Sequence, residues 1–141
     1  MFHRWAALTL VLALCAISPR SAAGQRSSPV RGRPLGSLGQ NYPNPFKAET
    51  YIPFTVEDCG GVGGQHSASM RIYNVLAQLV AVPVLFGADR PLTGLRLSCG
   101  EYLGVWNGRL GRRGQRAAPG VYVYELIVDG QRLSRKLFLT R

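Results

Sequence analysis

The chain has 141 residues, of which 46% are hydrophobic, and it carries a formal net charge of +10 at pH 7. A chain of this length has room for one domain of ordinary size, so an assembly of several large domains is excluded. The excess of 17 basic over 7 acidic residues favours partners or surfaces of negative charge.

Residues 1–23 have the layout of a secretory signal peptide. A positively charged start is followed by an apolar run at 5–17 and then by small residues, with Ser21 and Ala23 at the −3 and −1 positions of an A-x-A-like cleavage site. The apolar run is shorter than the roughly 20 residues that a transmembrane helix needs. We therefore expect cleavage after Ala23, export, and a mature chain that is not a transmembrane protein.

Export changes both the charge and the expected partners. Loss of Arg4 and Arg20 with the signal peptide removes two positive charges and lowers the formal net charge from +10 to +8. This charge favours an anionic surface polymer such as lipopolysaccharide or an acidic glycan, and it also has the simpler interpretation that it keeps the domain soluble. Nucleic acid is not an expected partner, because export separates the protein from it.

Signal removal also leaves an even number of cysteines. Cys15 lies in the signal peptide, and Cys59 and Cys99 remain outside any CxxC motif. Two such cysteines in an oxidising compartment usually form one disulfide, so we predict that Cys59 and Cys99 are bonded. A metal site with His66 as third ligand is the less favoured alternative, because His66 lies in a glycine-rich loop where a solvated histidine is expected.

The mature chain divides into a linker and a domain. Residues 24–39 are rich in Gly, Ser, Pro and Arg and lack apolar periodicity, which predicts a flexible basic linker before a domain at 40–141. The domain starts with QNYPNPF at 40–46, where each proline fixes its own φ and keeps the preceding residue out of the helical region. Tyr42 and Phe46 are too large and apolar for a plain linker, so we expect this segment to be pinned to the domain.

After this segment the pattern is all-β. Short runs rich in β-branched and aromatic residues, several of them alternating with polar residues, are separated by turn residues. The predicted strands are 49–56, 68–73, 78–84, 92–97, 101–106, 121–128 and 132–140. Pro53 cannot donate to a ladder, which predicts that the first of these is an edge strand. About seven strands in about 100 residues predict an immunoglobulin-like antiparallel β-sandwich.

Four stretches together carry a family resemblance. They are NYPNPF at 41–46, MRIYNVLAQLV at 70–80, GEYLGVWNGR at 100–109 and APGVYVYELIVDGQRLSRKLFLTR at 118–141. In this order and spacing they resemble the C-terminal sorting domain of the type IX secretion system and, equally, the related immunoglobulin-like domain of flagellar hook-capping proteins. The resemblance covers residues 40–141 and implies a small, fibronectin III-like β-sandwich that is not a catalyst. The family usually has glycine where this chain has Ala77, at a turn that favours positive φ.

Two functions stay open at this point. The first is a sorting or targeting module, whose partner the resemblance implies to be the export machinery of the outer membrane. The second is a stand-alone extracytoplasmic binding or scaffold module, hook-capping-like or adhesive at the cell surface, which contacts another envelope protein. The expected location is the periplasm, the outer-membrane surface or the extracellular space.

An enzyme is not expected. One histidine remains after signal removal, and the chain has no GxSxG, HExxH or phosphate-binding loop. The only adjacent acidic pair, Glu57-Asp58, lies at a strand end, where neighbouring side chains point to opposite faces. We therefore predict no catalytic residue, no cofactor and no metal.

The remaining candidate residues are a set of core aromatics and a basic loop. The predicted core aromatics are Tyr42, Phe46, Trp106, Tyr122 and Tyr124. The predicted loop at 109–118 is rich in glycine and holds Arg109, Arg112, Arg113 and Arg116. Guanidinium groups bind phosphates and sulfates, which makes this loop a candidate anion-binding site; a solvated loop of a basic protein is the alternative.

Overall fold

The computed structural model describes residues 32–141, so the predicted signal peptide and the first part of the predicted linker lie outside the described residues. The strands of this part are, in chain order, β1 (Gly36–Leu38), β2 (Thr50–Val56), β3 (Gln65–Tyr73), β4 (Leu79–Ala81), β5 (Val84–Leu85), β6 (Arg90–Pro91), β7 (Leu95–Ser98), β8 (Gly100–Trp106), β9 (Arg109–Leu110), β10 (Gln115–Arg116), β11 (Gly120–Val128) and β12 (Gln131–Leu139). Within residues 32–141, no helix has the length and apolar character that a membrane span requires.

The strands form two antiparallel sheets and one short ribbon. Sheet A has the order β1-β2-β8-β5-β6. Sheet B has the order β12-β11-β3-β4. The strand β7 also belongs to this sheet: β11 pairs with one edge of β3, and β4 and β7 pair with the other edge, β7 near the start of β3 and β4 at its end. The ribbon consists of β9 and β10. The predicted all-β immunoglobulin-like sandwich is confirmed, although several of its strands are only two or three residues long.

Alternation along β2 and β11 places one face of each sheet in the core. Buried and more accessible residues alternate along β2 and β11. The buried residues of these two strands are Thr50, Ile52, Phe54, Val56, Tyr122, Tyr124, Leu126 and Val128. Each large apolar side chain buried in this way contributes roughly 1.5–3 kcal/mol to folding. The two inner faces together form a single hydrophobic core between the sheets.

The edge-strand prediction for residues 49–56 is wrong, because β1 covers β2. Gly36–Leu38 pairs with Phe54–Val56. The predicted flexible linker at 24–39 is therefore too long at its C-terminal end, because its last residues include β1. Continuing this register places Gly39 opposite Pro53, whose carbonyl accepts the Gly39 N–H at 2.8 Å. Pro53 has no N–H to return to the Gly39 carbonyl, and the Tyr124 hydroxyl donates to that carbonyl instead, at 2.7 Å. A donor from sheet B thus makes a proline tolerable inside sheet A.

Two other predicted segments are also corrected. The predicted strand at 78–84 is two strands, because the chain crosses at Val82-Pro83 from β4 in sheet B to β5 in sheet A. The predicted loop at 109–118 contains the β9–β10 ribbon. Both errors have the same cause: a short apolar or glycine-rich run does not reveal which neighbour its backbone will pair with.

The turn between β3 and β4 has the positive φ that the family resemblance implies. Ala77 has a φ of 58°, a conformation that costs a residue with a Cβ about 1 kcal/mol relative to glycine. The Asn74 side chain accepts hydrogen bonds from the N–H groups of Leu76 and Gln78, each at 3.0 Å. These bonds satisfy the turn backbone and stabilise it without a glycine.

Candidate functional site

The disulfide ties the start of β8 to the loop after β2. The sulfur atoms of Cys59 and Cys99 are bonded, with 5.7 Å between their Cα atoms, which confirms the predicted pairing. Both sulfurs are therefore unavailable as thiolate ligands. In the described residues 32–141 there is also no group of three or more metal-ligating side chains.

His66 is a structural residue and not the solvated histidine that the sequence predicts. Its Nδ1 lies 2.6 Å from Oδ2 of Asp129, and its Nε2 lies 3.0 Å from the carbonyl oxygen of Asp58. A carbonyl and a carboxylate can only accept, so both ring nitrogens donate and the imidazole is protonated in this arrangement. The hydrogen bond to Asp129 raises the pKa of His66, and the same bond lowers the pKa of Asp129. His66 thus fastens the glycine-rich loop to the β11–β12 turn.

The 40–46 segment is attached to both sheets through a buried polar cluster. Tyr124 of β11 is fully buried, and its hydroxyl accepts the Asn41 N–H at 3.1 Å. The Asn41 amide donates to Thr50 Oγ1 at 2.9 Å and to the Pro43 carbonyl at 3.3 Å. Thr50 in turn donates to the same carbonyl at 3.0 Å. These polar groups satisfy one another inside the protein and hold the segment in one position.

The second half of the segment covers the C-terminal end of the free edge of β12. The Phe138 N–H donates to Asn44 Oδ1 at 3.0 Å, and the Phe46 N–H donates to the Phe138 carbonyl at 2.9 Å. The Thr140 N–H then donates to the Phe46 carbonyl at 2.8 Å. Main-chain groups at this edge would otherwise be free to pair with a foreign strand. The two X-Pro bonds of the segment, after Tyr42 and Asn44, are cis.

The five predicted core aromatics do not share one environment. Phe46, Trp106, Tyr122 and Tyr124 are buried. The Trp106 ring lies between Phe46 and Tyr122, at centroid distances of 5.4 and 5.3 Å. Tyr42 is 50% exposed and stacks on Tyr51 at the outer face of sheet A, so its predicted core position is wrong. The sequence could not distinguish Tyr42 from Phe46, because both flank the same prolines.

The four arginines of the candidate anion-binding loop have different roles. Arg109 Nη1 donates to the Gly114 carbonyl at 2.7 Å, and Arg116 Nη2 donates to the Lys47 carbonyl at 2.9 Å. Arg112 and Arg113 lie exposed in the turn between β9 and β10. The first two guanidiniums therefore stabilise the ribbon, and the turn presents the other two to solvent. Anion binding itself stays a prediction.

Sequence reasoning missed Asn41 and Thr50, the two buried polar residues of the described chain. Thr50 could have been found, because the alternation of Ile52, Phe54 and Val56 extends back to it. Asn41 gives no such signal, since its partners Thr50 and Tyr124 come from separate strands.

Comparison with known proteins identifies the fold. The chain is similar to the crystal structure of dimeric latent PorU from Porphyromonas gingivalis, with a TM-score of 0.51 and 16% sequence identity over 74% of this chain. The chain spans about a tenth of the PorU chain, since the match covers 9% of it. Neither the family models nor the curated proteins contain a match. At this identity the likeness shows that the two proteins share a fold.

Proposed function

We propose that this chain is an exported, non-catalytic immunoglobulin-like module of the kind that sorts proteins through the type IX secretion system. Its sequence resembles such sorting domains over residues 40–141. The β-sandwich fold that the chain shares with PorU is consistent with such a module. The partner would be the export machinery of the outer membrane or another envelope protein.

One observation carries the proposal: the 40–46 segment, which the family resemblance singles out, covers the C-terminal end of the free edge of β12. Asn44 and Phe46 supply the groups that occupy this edge. An exported module must cross a compartment crowded with other chains, and an uncovered strand edge would recruit them. The 40–46 segment therefore protects a strand edge, which suits a module that is exported and meets other proteins in its folded state.

The test is fractionation of producing cells with mass spectrometry of the mature chain termini. Sorting predicts a product at the outer surface whose C-terminus has been processed, so that Arg141 is lost or modified. A fluorescent cargo inserted between residues 1–31, which include the predicted signal peptide, and residues 32–141 should reach the surface, and the same cargo joined to residues 1–31 alone is the matched control. An intact Arg141 on a chain confined to the periplasm would contradict the sorting role.

A second candidate function, a stand-alone module that binds an anionic envelope polymer, is favoured by the exposure of Arg112 and Arg113. Binding to heparin or lipopolysaccharide should then weaken with salt, because charges are screened beyond a Debye length of about 8 Å at physiological ionic strength. Serine at both positions should lower the affinity and leave the unfolding midpoint unchanged. Serine at Arg71 and Arg96, which lie on the outer face of sheet B, is the control of equal charge. If the two variants bind the polymer with equal affinity, the binding is a non-specific effect of net charge and this second function is contradicted.

A further inference from the structure

The outer face of sheet A carries an exposed aromatic row. Tyr42 stacks on Tyr51 at a centroid distance of 5.7 Å, and Tyr51 meets Phe86 edge to face at 5.9 Å. Phe86, which follows β5, is 59% exposed. Large exposed aromatic side chains that lie side by side are uncommon on a protein that works alone, and they usually mark an interaction surface.

Tyr51 and Phe86 of the row line two grooves that meet at Phe86. The larger groove has a volume of about 800 Å³, and the outer sides of Pro53 and Leu103 line it together with Tyr102. The smaller groove has a volume of about 420 Å³ and lies between Tyr51 and Phe86. Together they offer a long, mostly apolar depression across the sheet, which suits an extended ligand better than a compact one.

The charge of this depression is opposite to that of the protein. Glu101 lines the larger groove, and Glu49 and Asp89 line the smaller one. Within residues 32–141, none of the lysines or arginines lines either groove, although the whole chain has 17 basic residues and 7 acidic ones. Arg109 and Arg112 line a third, neighbouring groove, which shares Glu49 and Asp89 with the smaller one. Anionic polymers would therefore be repelled from a face that attracts cations.

The backbone beside the grooves favours a polypeptide over other cations. β5 pairs with β8 through Val84 and Leu85, and in the described part of the chain no strand lies beside Glu101 on that side of β8. An extended peptide can form hydrogen bonds with main-chain groups at such a position, while its side chains occupy the adjacent groove. Cationic side chains bind well over aromatic faces, and nearby carboxylates strengthen the attraction.

We propose that the outer face of sheet A, centred on Phe86 and Glu101, is a docking site for an extended, basic polypeptide segment that combines arginine or lysine with apolar residues. The aromatic row would receive the cationic and apolar side chains, and the three carboxylates would select for positive charge. This inference goes beyond the proposed function, because it holds for a sorting module and for a resident module alike.

The test measures fluorescence anisotropy of labelled peptides with the purified protein. The probe is a nine-residue peptide with the repeat Arg-Pro-Leu, and the repeat Glu-Pro-Leu is its control. We expect the arginine peptide to bind and the glutamate peptide not to. Phe86→Ser and Glu101→Gln should each weaken binding by about tenfold, the effect of losing one desolvated cation–π or charge contact.

Matched substitutions on the opposite sheet distinguish this site from general stickiness. Phe138 is 43% exposed on β12, and Glu125 lies on the outer face of β11, so Phe138→Ser and Glu125→Gln remove the same groups elsewhere. These two variants should bind the peptide as the wild type does. Equal weakening in both sheets, or binding that survives Phe86→Ser, would overturn the proposal.

Two other occupants would also overturn it. A neutral glucan hexasaccharide that binds in a Phe86-dependent way, with no binding of the arginine peptide, would make the face a glycan site. A dimer in sedimentation equilibrium that Phe86→Ser abolishes would make it a contact between copies of this chain. Circular dichroism of each variant verifies that the sandwich is folded.

Discussion

The Tyr124 hydroxyl is the smallest group whose removal should loosen the 40–46 segment. Tyr124→Phe deletes one oxygen atom and keeps the ring, so the packing of the core is unchanged. The hydroxyl donates to the Gly39 carbonyl at 2.7 Å and accepts the Asn41 N–H at 3.1 Å. Both partners belong to the chain that enters the sandwich, and Tyr124 itself belongs to sheet B.

The expected cost follows from the burial of the two partners. Asn41 is buried, so its N–H would be left without a partner, which costs about 1–3 kcal/mol. Gly39 is only partly buried, so water can replace the lost donor at a smaller cost. We therefore expect a loss of about 2 kcal/mol, a large part of the 5–15 kcal/mol that stabilises a typical domain.

Urea denaturation of the oxidised protein, followed by tryptophan fluorescence, measures this loss. With the slope usual for a domain of this size, the midpoint should fall by about 1 M. Tyr102→Phe is the control, because its hydroxyl donates to the Ser98 carbonyl at 2.8 Å in an exposed position and should matter by less than about 0.5 kcal/mol. The reasoning is refuted if the two variants lose the same stability, or if hydrogen exchange at the Asn41 amide does not accelerate in Tyr124→Phe.

Three further predictions concern the core, the disulfide and the histidine. Trp106→Ala removes a ring that is 2% exposed and should cost about 3–5 kcal/mol in urea denaturation followed by circular dichroism; an unchanged midpoint would mean that the ring is not packed. Serine at both Cys59 and Cys99 should cost about 4 kcal/mol by the loop-entropy estimate for a separation of 40 residues, and alkylation of the native, unreduced protein should detect no free thiol. The pKa of His66 is raised above 6.5, so the stability it contributes is complete below that pH and is lost as pH rises through the folded-state pKa. Because the pKa of Asp129 is lowered, its own contribution is lost only as pH falls through that lower value. The urea midpoint should therefore decline in the wild type as pH rises above about 6.5 and through the folded-state pKa of His66, and a similar decline in His66→Ala would contradict this assignment.

The sequence by itself determined the class of the fold and most of the core. Alternation at period two in β2, β3 and β11 requires strands with one buried face, because successive side chains of a strand point to opposite sides. Removal of the predicted signal peptide would leave Cys59 and Cys99 as an even pair, which predicts the disulfide without any knowledge of geometry. The turn at Ala77 was expected at positive φ from the resemblance alone, and it has this conformation.

Only the tertiary structure decided which backbone groups are satisfied by distant residues. Pro53 predicts an edge strand, because it has no N–H for the carbonyl opposite it. In the structure that carbonyl belongs to Gly39, and its donor is the hydroxyl of Tyr124, which lies 71 positions after Pro53 in the chain. Tyr42 and Phe46 have the same local context, yet one ring faces solvent and the other packs on Trp106. His66 has a raised pKa and is held in place because the fold brings Asp129 and the Asp58 carbonyl to its two nitrogens. The local sequence pattern predicts strands and their buried faces, because it depends on periodicity alone. Hydrogen bonds between distant residues depend on how the two sheets are stacked, which only the tertiary structure shows.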